Sequence, residues 1–198
     1  LSTQLLEILD RYEVDFNRMV DKLFELPSVL ARFEKTGVVT AEQATAIGAV
    51  GMVARTSGVI RDIRQSHPHD LYGQLNHTPV VKHHGDVYSR AQIRREEIWQ
   101  SIAYIRKLLE DVPVVVGETM QSLTPAKSSF VISLTEGWRG EICHCAITDE
   151  QGELAFYKIK DPSFHNWLAL ALSVRNNEIS DFPICNKSFD FSYCGHDL

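Results

Sequence analysis

The sequence predicts an α+β fold that is mainly α, with long helices, a small antiparallel sheet and a C-terminal helix. Apolar residues recur at helical spacing through the first two-thirds of the 198 residues, and short apolar segments separated by turn residues follow Pro125. Asp161-Pro162 is a strong helix start. We expect a single domain, with a helical part over 1–126 and the sheet, helix and tail over 127–198.

The first predicted helix carries a narrow apolar seam. Its members alternate at the four- and three-residue spacing of one helix face: Leu5, Leu9, Tyr12, Phe16, Met19 and Leu23. We expect this helix to end near Pro27, because a proline inside a helix removes a backbone hydrogen bond.

Two later segments begin with a capping signature, a hydroxyl residue followed three positions later by glutamine. Thr40 and Gln43 predict a second helix that runs toward Gly58. It is rich in alanine and glycine, which let another backbone approach closely, so we expect it to be buried between other helices. Ser89 and Gln92 predict a third helix with an apolar stripe, ending before the next proline.

Strand patterns begin after the helical part. Three segments have them: 130–134, 141–148 and 153–159. Residues 149–152 form the predicted turn between the last two. Asp161 then provides an N-cap carboxylate and Pro162 fits the first helical position, which predicts a helix through about Val174.

Composition and charge exclude several classes of function. The 26 acidic residues outnumber the 20 basic ones, and the net charge of -6 disfavours nucleic-acid binding. No segment approaches the roughly 20 apolar residues of a membrane-spanning helix, so we expect no direct membrane span. We also expect a cytoplasmic protein with reduced thiols, since no secretory signal is present and the four cysteines lack C-x-x-C spacing.

The densest polar cluster follows the alanine- and glycine-rich segment. It contains Arg55, Arg61, Asp62, Arg64, His67, His69, Asp70 and Tyr72. Three guanidiniums and two imidazoles could present fixed donors to a carboxylate, a quinone oxygen or an iron–sulfur cluster. The alternative is a solvated helix end with intrachain salt bridges, because clustered charge is commonly surface.

Other polar groups give weaker indications. A second group precedes the third helix and contains His83, His84, Gly85, Asp86, Tyr88 and Arg90. Cys143 and Cys145 would share one face of a strand, with His144 on the other face, and no further ligands stand at suitable spacing. Nucleotide-binding, zinc-protease and hydrolase motifs are absent from the sequence.

Several moderately specific segments follow one another over nearly the whole chain. They are 37–48, 54–58 with Asp62 and Arg64, 68–70 with Tyr72, 85–88 with Arg90, 94–101, 136–137, 139–141, 157–160 and 162–164. In this order they resemble the C-terminal half of the large-subunit family shared by respiratory complex I and membrane-bound nickel–iron hydrogenases, including formate hydrogenlyase-like and energy-converting hydrogenase-related proteins. The resemblance implies a hydrogenase large-subunit-like helical bundle and an upstream half that we expect to be missing here.

The C-terminus departs from the hydrogenase pattern, in which Asp-Pro-Cys-x-x-Cys supplies thiolates to nickel and iron. When Asp190 is aligned with the aspartate, Ser192 and Gly195 occupy the cysteine positions and Cys194 lies one residue out of place. A hydroxyl group and a glycine cannot replace thiolates on a soft metal. We therefore expect no metal site; Cys194 is a weak candidate ligand, and we expect it to be a buried thiol instead.

The resemblance implies electron transfer in a membrane-associated NADH–quinone oxidoreductase-like complex, without a nickel–iron site. This chain would hold no cofactor, while a partner subunit would hold an iron–sulfur cluster and a quinone would bind nearby. The implied partners are an iron–sulfur small subunit and membrane-arm subunits, on the cytoplasmic inner face of the cell membrane. The implied cavity-lining residues are Arg55, Asp62, Arg64, His67, Asp70, Tyr72, Asp86 and Arg90.

Two alternatives remain open, and no catalytic residue is assigned under any of them. The chain could belong to an active nickel–iron hydrogenase in which Cys194 serves as a shifted ligand. It could also belong to a purely architectural assembly subunit with no redox partner nearby.

Overall fold

The computed structural model confirms a mainly helical fold with a small antiparallel sheet, and it describes residues 2–69, 71–110 and 124–195. The helices before the sheet are α1 Ser2–Glu25, α2 Pro27–Phe33, α3 Ala41–Ala46, α4 Gly51–Thr56, α5 Ile63–Ser66, α6 Tyr72–Leu75 and α7 Val87–Glu110. The strands are β1 Phe130–Gly137, β2 Gly140–Thr148 and β3 Leu154–Lys160. After the sheet come α8 Pro162–Ser173, a 3-10 turn at Ile179–Asp181 and α9 Phe182–Phe189.

The first helix ends where the sequence predicts. After α1 ends at Glu25, the chain re-enters a helix at Pro27, whose ring fits the first helical position and whose missing N–H is not needed there. This short α2 is not predicted from the apolar pattern. Helix α1 packs on α2 and α7, and none of its residues is fully buried.

The prediction of one continuous helix from Thr40 to Gly58 is wrong. The capping box is confirmed, since the Thr40 hydroxyl accepts from the Gln43 N–H and the Gln43 side chain accepts from the Thr40 N–H. Helix α3 ends at Ala46, and the φ values of 64° at Gly48 and 59° at Gly51, where α4 begins, separate the two helices. The predicted burial is confirmed for α4, in which every residue is buried and which contacts α7, α8 and β2. It is wrong for α3, in which Ala44 alone is buried.

Helix α7 begins earlier than the capping signature predicts. Asp86, and not Ser89, caps the start of α7, because its carboxylate accepts from the Ser89 N–H in the first turn at 2.8 Å. The same carboxylate also accepts from the Lys35 N–H, in the loop after α2, at 2.9 Å. The helix therefore starts at Val87. Its predicted end before Pro113 lies outside the described residues.

The three predicted strands are confirmed and form one antiparallel sheet in the order β1-β2-β3. Strand β1 continues to Gly137, further than the apolar pattern indicates, and a tight turn leads to Gly140. The predicted turn at 149–152 is present, and the Gly152 N–H donates to the Asp149 carbonyl at 3.1 Å.

The start of α8 is confirmed, whereas α9 is not predicted. The Asp161 carboxylate accepts from the Ser163 N–H at 2.7 Å, and Pro162 occupies the first turn. Helix α9 buries Cys185 and Phe189 against the rest of the chain. Within the described ranges, no helix is both long enough and apolar enough to cross a membrane.

Candidate functional site

A buried arginine at the end of α4 organises the most charged part of the interior. The side chain of Arg55 is only 2% exposed. Its Nη1 lies 2.9 Å from Oε1 of Glu136 and 3.3 Å from Oδ2 of Asp62, and its Nη2 donates to Oε1 of Glu97 at 2.8 Å. The guanidinium thus joins a carboxylate before α5, one on α7 and one on β1.

A second guanidinium completes this arrangement from α5. Arg64 donates through Nε and Nη2 to the two oxygens of Asp62, at 2.9 and 2.6 Å, and through Nη2 to Glu97 at 2.8 Å. Asp62 also caps α5 by accepting from the Arg64 backbone N–H at 3.0 Å. The fork geometry matches a planar guanidinium with a carboxylate and fixes both groups.

His77 contacts Asp62 and links this group of charged residues to α7. Nε2 of His77 lies 3.1 Å from Oδ2 of Asp62, and Nδ1 lies 2.9 Å from the hydroxyl of Tyr104. Tyr72 packs edge-on against the His77 ring with centroids 5.9 Å apart. We call the six charged or ionisable residues the Arg55 network: Arg55, Asp62, Arg64, His77, Glu97 and Glu136.

Burial and charge shift the ionisation of this network. Burial opposes ionisation of Asp62, but hydrogen bonds from His77 and Arg64 and the charge of Arg55 outweigh it and hold the pKa of this carboxyl well below its usual range. Burial raises the pKa of Glu136, although Arg55 works in the opposite direction. Two guanidiniums face three carboxyl groups, so negative charge is in excess unless one group takes a proton.

The network opens into a cavity of about 210 Å³. Its lining is Arg64, Glu97, Ile98, Ser101, Glu136, Gly137 and Trp138. Arg64 and Glu97 are each 14% exposed, whereas Arg55 and Asp62 are sealed behind them. We call this space the Arg64 cavity. It offers a fixed cationic donor beside carboxylates, in surroundings where water screens charge poorly.

The predicted site residues Asp86 and Arg90 do not join this network. Asp86 caps α7, as described above, and Arg90 is fully buried with its donors on the carbonyls of Gly37 and Gly85 and on the Ser188 hydroxyl, at 2.8 to 2.9 Å. Burial lowers the pKa of Arg90 to about 9, although Cys185 and Asp86 act in the opposite direction. These two residues fix loops and α9.

Two further predicted residues lie elsewhere. His67 is exposed, and its Nδ1 lies 3.0 Å from the hydroxyl of the neighbouring Ser66. Asp70 lies outside the described residues. The structure therefore brings together Arg55, Asp62 and Arg64, with Tyr72 at the border.

Sequence reasoning missed four partners of these residues. Glu97 and Glu136 both lie in segments that carry the family resemblance, so their presence there is the one available signal. His77 and Tyr104 lie in no such segment. The hydrogen bond between them joins the loop after α6 to α7, and the two residues are 27 positions apart. Patterns of neighbouring residues do not predict a contact at that separation.

Ser192 and Gly195, the two positions aligned with the hydrogenase cysteines, offer a hydroxyl group and no side chain in place of two thiolates. The Ser192 hydroxyl accepts from the Gly195 N–H at 2.9 Å, and a Cβ added at Gly195 would lie 2.6 Å from Cγ of Asp161. In the described part of the chain, no three His, Cys, Asp or Glu side chains are grouped to hold a metal. The residues present do not fit a centre built on thiolates.

The expectation that Cys194 is a buried thiol is wrong. Cys194 is exposed, whereas Cys185 on α9 is the buried cysteine. The chain turns after Phe191, whose ring packs into the core, and this turn leaves the residues before Gly195 at the surface.

Comparison with known proteins gives the family context for this geometry. Residues 1–131 match the family model of the respiratory-chain NADH dehydrogenase 49 kDa subunit. The carbon monoxide-induced hydrogenase of Rhodospirillum rubrum is 32% identical over 92% of this chain and 50% of its own length. A subunit of the NADH-quinone oxidoreductase of Herpetosiphon aurantiacus is 29% identical over 94% of this chain and 51% of its own length.

A solved structure supports the fold. One chain of the membrane-bound sulfane sulfur reductase, an archaeal respiratory membrane complex, superposes with a TM-score of 0.90 at 23% identity, over 100% of this chain and 55% of that chain. The protein thus spans about half the length of these relatives. Since the family model matches residues 1–131 of 198, the chain belongs to the family of the 49 kDa subunit of respiratory-chain NADH dehydrogenase.

Proposed function

We propose that this chain is the C-terminal part of a hydrogenase-like, NADH–quinone oxidoreductase-type large subunit that acts in electron transfer within a membrane-associated respiratory complex, without a nickel–iron site. The observation that carries the proposal is the Arg55 network, which borders a polar cavity in a chain of this family. The family relationship supports oxidoreductase chemistry, and the network supports a role for charge at this position.

The chemistry of the Arg64 cavity suits a redox neighbour. An electron that arrives on a nearby centre adds negative charge, which a fixed guanidinium stabilises most effectively where the surroundings are poorly solvated. Arg64 faces the cavity, and Asp62 and Glu97 hold it in place. In this proposal a partner subunit carries an iron–sulfur cluster beside the cavity, and a quinone binds nearby.

The proposed setting follows the complexes to which the relatives belong. The partners are an iron–sulfur small subunit and membrane-arm subunits, which hold this subunit at the cytoplasmic, inner face of the cell membrane. The net charge of -6 supports protein partners over nucleic acid. In this proposal the chain by itself binds no cofactor.

Two other functions remain as competing proposals. An active hydrogenase would require Cys194 to ligate the metal together with upstream cysteines, and the exposure of Cys194 is compatible with an intersubunit or cofactor contact. A purely architectural subunit would leave the Arg55 network as a structural element alone. One observation favours the redox proposal over the architectural function: three members of the network, Arg64, Glu97 and Glu136, line a cavity.

Substitution of Arg64 tests the proposal in the assembled complex. Arg64→Gln removes the cation that faces the cavity, and we expect electron transfer from donor to acceptor to slow by about tenfold or more, because one preorganised donor is commonly worth at least that factor. The measurement is the rate of acceptor reduction by complexes matched for subunit content.

Arg18→Gln is the matched control, since Arg18 pairs only with Asp15 on the exposed face of α1 in the described structure. Its electron-transfer rate should equal that of the wild type. An Arg64→Gln complex that assembles fully and transfers electrons at the wild-type rate would refute a role for the cavity in electron transfer and favour the architectural function.

A further inference from the structure

His77 is a buried imidazole with both ring nitrogens engaged. Its side chain is 1% exposed and lies between the carboxylate of Asp62, which is not exposed at all, and the hydroxyl of Tyr104. Tyr72 packs against the ring from α6. Among the described residues, the titratable side chains that contact His77 are Asp62, which precedes α5, Tyr72 on α6 and Tyr104 on α7.

The hydrogen bonds fix the tautomer of His77. The pKa of Asp62 is held well below its usual range by its hydrogen bonds and by Arg55, against the effect of burial, so its carboxylate can only accept, and Nε2 of His77 must carry a hydrogen. Nδ1 has two possible states. It can accept from the Tyr104 hydroxyl, or it can carry a proton and donate to the Tyr104 oxygen, and the heavy atoms need not move between them.

A proton on Nδ1 of His77 would neutralise an excess of negative charge in the Arg55 network. Arg55 and Arg64 supply two positive charges against Asp62, Glu97 and Glu136, so the network carries one surplus negative charge when His77 is neutral. A proton on Nδ1 cancels that surplus. The raised pKa of Glu136, caused by its burial, indicates that negative charge is unfavourable at this place.

Tyr104 connects His77 to a second cavity of about 270 Å³. Its lining is Leu71, Tyr72, Leu75, Ser101, Tyr104, Ile105 and Leu108. Tyr104 lines this cavity, and its hydroxyl lies 2.9 Å from Nδ1 of His77. We call this space the Tyr104 cavity. It is separate from the Arg64 cavity, and Ser101 borders both.

We propose that Tyr104 and His77 form a proton relay that carries one proton from the Tyr104 cavity to the Arg55 network. The Tyr104 hydroxyl gives its hydrogen to Nδ1 of His77 and takes one from a hydronium ion in the cavity, so that the products are water, an unchanged tyrosine and an imidazolium beside Asp62. The relay gives the network a proton that offsets an added electron. That coupling rests on the proposed function, whereas the relay itself does not.

A pH jump on the complete, oxidised complex tests the relay without electron transfer. Time-resolved infrared difference spectra follow histidine and tyrosine bands, and His77→Gln should remove one histidine signal. Tyr104→Phe deletes only a hydroxyl from a half-buried ring and should leave the fold intact. We expect it to keep the histidine signal but to slow its appearance by about tenfold or more, since a positioned acid–base group contributes at least that factor.

The chain offers a matched control pair on the sheet. His144 and Tyr157 make the same imidazole–hydroxyl contact, at 2.5 Å, but in an exposed position. Tyr157→Phe should leave the rate of the His77 signal unchanged. The relay is disproved by a spectrum that His77→Gln leaves unaltered, or by wild-type protonation kinetics in Tyr104→Phe.

Chemical reduction of the same complex separates the relay from the proposed function. Wild-type complex should take up about one more proton per complex than His77→Gln on reduction, as measured with a pH-indicating dye, and Glu136→Gln should reduce this difference because it removes the surplus charge. A His77 signal that responds to the pH jump but not to reduction would support the relay and contradict its coupling to electron transfer.

Discussion

Asp62 makes contacts with every part of the Arg55 network except the other two carboxylates. It caps α5, accepts both arms of Arg64, pairs with Arg55 and accepts from His77. Each contact favours the ionised form, and together they overcome the cost of removing a carboxylate from water. The ionisation of this one residue is therefore coupled to the stability of the folded chain.

Substitution of Asp62 should have a pH-dependent effect. At pH 7, Asp62→Asn should lower the free energy of unfolding by roughly 3–5 kcal/mol, the usual result of breaking a buried ion pair. The pKa of Asp62 is lower in the folded than in the unfolded state, so its contribution is complete above the ordinary value of 3.8 and is lost as the pH falls below it. Urea unfolding of the complete subunit at several pH values measures this.

The stability gap between wild type and Asp62→Asn should narrow as the pH falls below about 4, because the Asp62 carboxyl of the unfolded wild-type chain then binds a proton while that of the folded chain stays ionised, and this favours unfolding. Asp15→Asn provides the control, since Asp15 is exposed and pairs with Arg18 on the surface. A gap of constant size from pH 7 to pH 3 would contradict the coupling.

At the level of elements, a pair of glycines sets the distance between α4 and the sheet. A Cβ added at Gly51 would lie 2.1 Å from Cα of Gly140, and one added at Gly140 would lie 3.0 Å from Cα of Gly51. The two backbones therefore touch. This contact brings Arg55 on α4 within reach of Glu136 on β1, so the glycines position the network as well as the sheet.

Alanine at Gly51 should be strongly destabilising. It adds a side chain where the backbone of Gly140 already lies, at a position with φ of 59°, and we expect the free energy of unfolding to fall by about 2–5 kcal/mol from strain and overpacking together. Gly48→Ala is the matched control, because its φ is similar, 64°, but an added Cβ meets nothing within 4 Å.

Gly48→Ala should therefore cost only the backbone term, about 1–2 kcal/mol. Denaturant unfolding of the two variants in the complete subunit gives both values. Equal losses would mean that backbone conformation, and not the contact between α4 and the sheet, decides the effect.

Across the molecule, two arginines hold residues 188–190, which lie at the start of the segment that the sequence aligns with the hydrogenase cysteine motif. Arg94 donates to the carbonyls of Ser188 and Phe189, and Arg139 pairs with Asp190, whose side chain also accepts from the indole of Trp138 at 3.0 Å. Helix α7 and the β1–β2 turn thus fix the segment through hydrogen bonds and charge.

The nickel content of the intact subunit tests whether this segment binds metal. We expect the anaerobically purified, full-length subunit to contain far less than one nickel per polypeptide, because Ser192 and Gly195 provide no thiolate. Iron measured in the whole complex serves as the internal control for loss of metals during purification. One nickel per subunit would overturn the proposed function and favour the hydrogenase alternative.

Patterns of neighbouring residues were sufficient to predict several of the helices and strands. Helix α1, the three strands and the cap at Asp161 follow from residues close to one another in the chain, and the structure confirms them. The buried character of α4 follows from its small residues in the same way. The break before α4 could not be predicted, because alanine and glycine in a helix pattern do not reveal which glycine adopts a positive φ.

The candidate site shows the same division. The order of the matched segments was enough to indicate the family, and Arg55, Asp62 and Arg64 could be grouped because they lie near one another in the chain. The sequence could not assign Glu97 and Glu136, which meet them from α7 and β1, because a pairing between distant segments depends on how the elements pack.

The packing of the elements buries Arg55 and Asp62, leaves Arg64 14% exposed at the cavity, and keeps Asp86 and Arg90 apart from all three. Only the tertiary structure placed His77 between Asp62 and Tyr104. The physical reason is common to these cases: a charged side chain has the same local pattern on a surface as in an interior, and the partners that make its burial possible come from remote parts of the chain.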